Sequence, residues 1–114
     1  MSPIQLSIFK VTAAVAAVDR VITEDELTEI RRIGISEGIS EDLVDDVVQK
    51  LRTLEDEEAI IDWVAQDIVS IGNAPEGLRE STLAEMLRTA RSDGTVSFEE
   101  SDLLKRCKQA WNLA

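Results

Sequence analysis

The stretch Ser92-Asp93-Gly94-Thr95-Val96-Ser97-Phe98-Glu99-Glu100 decides the fold, because the chain uses its pattern twice. Seventy-four positions earlier it runs Val18-Asp19-Arg20-Val21-Ile22-Thr23-Glu24-Asp25-Glu26. Both copies read Asp, any, any, Ile or Val, Thr or Ser, any, any, Glu. Thr23 and Ser97 stand where a helix N-cap belongs, with Glu26 and Glu100 three residues on. That spacing is a capping box: the hydroxyl accepts from the N3 amide and the Glu reaches back to the cap amide. Each cap contributes about 1 kcal/mol. In the first copy Ile22 and Leu27 are placed for a hydrophobic staple; in the second the pair is Val96 and Ser101, and none is expected. Asp93-Gly94 supplies a turn, because Gly tolerates positive φ. Arg20 replaces that Gly in the first copy.

Composition sets the bounds. A chain of 114 residues, 44% apolar, has material for one packed domain, expected to span residues 1–114. Cys107 is alone, so no intramolecular disulfide and no multi-cysteine metal site forms. There is no His, hence no ordinary zinc set and no ordinary neutral-pH general base. A net charge of −11 opposes binding to a nucleic-acid backbone. All of that net charge lies on residues 19–67, which hold 16 acids against 5 bases. Such a segment keeps a protein soluble, and it is also the natural face for a cation or a basic partner.

Helical spacing accounts for the rest. Residues 4–18 are apolar nearly all round, the mark of a central core helix. The run is short, is interrupted by Lys10 and follows no basic residue, which reads as core rather than as a signal peptide or a membrane span. A second helix is expected from about Glu24 to Glu37, with Leu27, Ile30 and Ile33 to Ile35 inward and Gly34 and Gly38 weakening its end. Ser40 then caps a third helix striped by Leu43, Val44, Val47, Val48, Leu51 and Leu54, with Asp42, Asp45, Asp46 and Gln49 facing solvent. The acids Glu55 to Glu58 suit the start of a fourth helix. It carries Ile60, Ile61, Trp63, Val64, Ile68, Val69 and Ile71, Trp63 being read as core. Pro75 is read as the first position of a fifth helix bearing Leu78, Leu83, Met86, Leu87 and Ala90. A sixth starts at Ser97 and uses Leu103, Leu104, Cys107 and Trp111, with Cys107 a buried, inert thiol. Nothing alternates as a strand does. The expected fold is all-α, a compact bundle of about six helices with an internal pseudo-two-fold repeat.

The duplicated stretch is not an EF-hand. With Asp93 at loop position 5, positions 1 and 3 would be Thr89 and Arg91, and in the first copy Val15 and Ala17. Calcium loops need oxygen ligands there.

The better match is the TerB-like family, named for a tellurite-resistance protein, which the chain resembles over nearly its full length. Its motif is an Ala-rich helix, an Asp-Gly, a hydrophobic residue, Ser or Thr, a Glu, and a helix ending near a Leu-Gly-Leu-like segment. Here the copies run Ala16 to Thr23 with Glu26 and Ile33-Gly34-Ile35, and Ala90 to Ser97 with Glu100 and Ala110 to Leu113. The resemblance implies a compact helical domain with an acidic surface proposed to bind divalent metal. It also implies roles in tellurite, stress or phage-resistance systems, including membrane-associated complexes, and kinship with a domain found beside co-chaperone modules. Carried over by position, the metal candidates are Asp19, Glu26, Asp93 and Glu100. Their turn and capping roles are weighed above ligation, and Arg20 sets a positive charge beside Asp19.

The function expected is a non-enzymatic, cytoplasmic stress-response binding or scaffold module. Its acidic segment 19–67 meets a protein partner, with a peripheral membrane complex allowed and nucleic acid not expected. The alternative is binding of Ca2+ through the acidic loops, and an outside alternative is an acidic nucleic-acid mimic. Without His or a Gly-rich phosphate loop, an enzyme needs special pleading.

Overall fold

The computed structural model describes residues 2–19, 22–92 and 94–113. They form α1 (Pro3–Ala17), α2 (Glu24–Ser36), α3 (Glu41–Thr53), α4 (Glu57–Gly72), α5 (Glu76–Ala90) and α6 (Phe98–Ala110), with no strand among them. The all-α expectation holds, and the repeat extends to whole elements. Shifted by the 74-residue offset, the bounds of α2 become those of α6, and those of α1 fall one residue from those of α5.

Why α1 is central follows from its sequence. Phe9, Val11 and Ala13 to Val18 are all buried, and α1 packs against each of the other five helices. Its alanines present little side chain, so neighbours approach closely on every side. Burial of so much apolar area at roughly 25 cal/mol per Å² is the main drive for the fold. Phe9, Ile30, Leu51, Ile60, Ile71, Met86, Leu103 and Trp111 fill the space between the helices. The polar groups of α1 are matched: Thr12 Oγ1 donates to Ile8 O at 2.7 Å, and Ser7 Oγ donates to Asp67 Oδ1 at 2.8 Å. Lys10 Nζ lies 3.0 Å from Asp67 Oδ2 and 4.6 Å from the centre of the Trp63 ring. Trp63 is half-buried: it packs against the edge of the core, as read, and its ring also covers Lys10 of the Lys10–Asp67 ion pair.

Caps set the helix starts. Thr23, Ser40 and Ser97 accept from the amides of Glu26, Leu43 and Glu100, as the spacing predicts. Asp56 caps α4 by accepting from Ala59 N at 2.9 Å. A further capping box, Ser2 with Gln5, opens α1. α5 begins at Glu76, so Pro75 is its N-cap rather than its first helical residue, and no side chain caps it.

The helix ends repeat as well. After α2, Gly38 at φ +75° lets its N–H reach Ile35 O at 3.1 Å while Ile39 N–H reaches Gly34 O at 2.8 Å, a Schellman motif. After α6, Asn112 at φ +56° takes the same place, with Asn112 N–H on Gln109 O at 3.2 Å and Leu113 N–H on Lys108 O at 3.0 Å. Gly38 and Asn112 stand one offset apart. Gly34 has a different role from the helix-weakening one read in sequence: a Cβ there would sit 2.7 Å from Val44 Cγ2, so it lets α3 approach α2. Two residues assigned to apolar stripes face outward, Ile35 at 71% exposure and Val69 at 55%.

Candidate functional site

The four acids singled out by position are distributed unequally. Asp93 lies outside the described residues, as does Arg20, whose φ therefore has no bearing here. Asp19 follows α1 in a turn and is half-buried. Glu26 and Glu100 are core residues, at 1% and 2% exposure.

Their positions follow from the caps. Glu26 Oε1 accepts from Thr23 N at 3.0 Å and from Thr23 Oγ1 at 3.2 Å, and Glu26 N donates to Thr23 Oγ at 3.1 Å. Glu100 Oε1 accepts from Ser97 N at 2.9 Å, and Glu100 N donates to Ser97 Oγ at 3.1 Å. Each glutamate thus turns back over the first turn of its own helix. Because the two helix–turn–helix units pack together, these turned-back carboxyls meet each other in the interior.

Two buried carboxylates side by side are electrostatically unfavourable. Burial first, then the hydrogen bond with Glu100 and its charge, push the Glu26 carboxyl up to about 8; the Thr23 N–H and hydroxyl pull the other way. Glu100 Oε2, the oxygen its own cap leaves unused, is buried with no donor unless Glu26 carries a proton. A positive species between the two carboxyls resolves both facts. A proton does so directly. A hard cation also suits this donor set, although Ca2+ takes six to eight oxygens. Among the described residues no group of three or more Asp, Glu or Cys side chains is gathered around a metal-sized space.

A second carboxyl contact joins α4 to α6. Glu57 is raised, first by its hydrogen bond with Asp102, and its buried Oε1 lacks any other partner. Arg106 braces that joint, with Nε 3.1 Å from Asp102 Oδ2 and Nη2 3.2 Å from Glu58 Oε1. Burial pushes the Cys107 thiol up to about 12, which leaves it un-ionised and inert at neutral pH. At the far end of the bundle Trp111 Nε1 donates to Ile68 O at 2.8 Å, and Arg79 holds Ala74 O and Trp111 O. None of these is an arrangement of nucleophile and base.

Most exposed acids lie elsewhere, along α2 to α4 and the turn before α4: Glu24, Asp25, Glu41, Asp42, Asp45 and Asp46, then Glu55, Asp56, Glu58 and Asp62; Glu76 and Glu80 are exposed on α5. Sequence reasoning found these faces but not the meeting of Glu26 with Glu100. The one signal for it was the twin capping box, since equivalent side chains of packed repeats tend to approach one another. No helix among the described residues is long and apolar enough to cross a membrane.

No curated protein and no solved structure matches the chain. A family model does: that of tellurite resistance protein TerB, over residues 5–114. That span takes in both copies of the capped turn, both Schellman ends and the carboxyl pair between them, and by it the chain belongs to the TerB family.

Proposed function

We propose that the chain is a non-enzymatic binding or scaffold module of a cytoplasmic, tellurite-resistance-like stress response, docking a protein partner on its acidic surface. One observation carries this reading. The whole net charge of −11 falls on residues 19–67, and most of those acids are exposed. A surface with an excess of one sign steers and selects a partner of the other sign. The test is crosslinking in the native host with the wild-type chain and with a charge-swapped variant carrying Asp42→Lys and Asp46→Lys. Capture of one defined partner by the wild type only, with tellurite sensitivity following the variant, supports the reading. Identical capture and identical tellurite tolerance would contradict it.

A second reading is favoured by the Glu26–Glu100 contact: a divalent cation such as Ca2+ held by Asp19, Glu26, Asp93 and Glu100. The carboxyl oxygen of Glu100 that has no other donor is the atom such an ion would use. Calorimetric titration with Ca2+ after chelation supports it if a stoichiometric site appears that Glu100→Gln removes. The absence of heat at millimolar Ca2+ would exclude it.

A further inference from the structure

The Schellman turn at Gly38 brings the last turn of α2 against the first turn of α3, and the close approach at Gly34–Val44 holds them there. Between them lies a cavity of about 140 Å³, lined by Arg31, Ile35, Ile39, Glu41, Val44 and Asp45. Its floor is apolar, since Ile39 and Val44 are buried. One wall is Ile35, which stands 71% exposed. A lone exposed aliphatic residue needs no explanation, but one that extends a buried apolar floor out to solvent makes a seat for another apolar group.

The α3 rim is acidic. Glu41 and Asp45 line the cavity one turn apart, and Asp42 and Asp46, also exposed, form the next row. The one cation lining it is Arg31, 3.8 Å from Asp45 with both side chains more than half exposed. A pair so exposed contributes little and opens readily.

We propose that this notch docks a basic segment of a partner protein: one aliphatic or aromatic side chain seats against Ile35, Ile39 and Val44 while flanking Lys or Arg side chains pair with the acids of α3. The inference rests on the protein-partner reading and gives it a site. Charge complementarity selects the occupant. A second copy of this chain brings another −11 and is repelled. An anionic membrane surface is repelled for the same reason. A basic segment gains from the rim, and its apolar residue supplies the specificity that charge alone lacks.

The test uses the whole chain, labelled with 15N, and two synthetic peptides. One carries Lys-Lys-Leu-Lys-Lys between neutral flanks, and the other has Ser in place of Leu. The Leu peptide is expected to move the amides of Ile35, Ile39, Val44 and Asp45 saturably, and the Ser peptide to bind roughly tenfold more weakly. Ile35→Ser, neutral and at an exposed position, leaves the rest of the spectrum in place and weakens the Leu peptide by about the same factor. Equal binding of the two peptides would overturn the notch. So would an Ile35-dependent dimer in sedimentation. Shifts spread over the acids of α2 to α4 but absent at Ile35 would overturn the notch and leave the acidic-surface reading standing. No shift with either peptide at low salt would overturn both.

Discussion

Replacing Glu26 with Gln isolates the carboxyl pair. Gln keeps the shape and the oxygen that accepts from Thr23 N, and its amide nitrogen can donate to Glu100 Oε2 as a protonated Glu26 does. In the wild type the Glu26 carboxyl rises from 4.5 to about 8 on folding, because of burial and of Glu100 beside it. The folded chain therefore holds this proton more tightly than the unfolded chain does. Stability from this source is complete below pH 4.5 and is lost as pH rises through about 8. At ~1.4 kcal/mol per pK step the full shift would correspond to several kcal/mol, and relaxation of a buried pair brings the expected loss to about 2–3 kcal/mol. Gln carries no such penalty. Glu26→Gln should match the wild type near pH 5 and exceed it at pH 9 by roughly 1–3 kcal/mol. Urea unfolding followed by circular dichroism at both pH values reads the difference, with the slope on denaturant checked for constancy. Comparing the variant with the wild type at each pH also cancels the general repulsion of a chain at −11. Parallel stability curves for the two proteins, or a Gln variant weaker at pH 9, would refute the shared-proton argument.

Other perturbations test the packing. Gly34→Ala places a methyl 2.7 Å from Val44 Cγ2 and should destabilise by about 1–3 kcal/mol in thermal unfolding, with much of the loss restored by adding Val44→Ala. Trp111→Phe removes the bond from Nε1 to Ile68 O in a fully buried setting and should cost about 1–3 kcal/mol by urea titration. Cys107, buried and held un-ionised by burial, should react with a thiol reagent at pH 8 only as fast as the chain opens, so that urea accelerates labelling in step with unfolding.

Local chemistry made the helix starts legible. Thr23, Ser40 and Ser97 carry their partners within three residues, and a cap needs nothing farther away. The Ser2–Gln5 box has the same local signature, three residues apart ahead of an apolar run. Where the reading failed, the missing information was spatial. Gly34 looked like a weak point in a helix because its neighbour Val44 belongs to the next helix. Ile35 was grouped with Ile33, although two residues on a helix lie some 200° apart and only Ile33 turns inward. Val69, grouped with the apolar residues of α4, likewise faces outward. Glu26 and Glu100 were each read correctly as caps, and their contact was invisible because a 74-residue separation carries no distance. Buried acids are rare enough that charge was taken to mean surface.

The most direct test of the account is the side-chain carboxyl 13C shift of Glu26 followed by NMR from pH 4 to pH 10. Two repeats joined through a shared proton require a Glu26 transition centred near 8. A Glu26 carboxyl that finishes ionising below pH 5 would mean that the two units do not meet through these side chains.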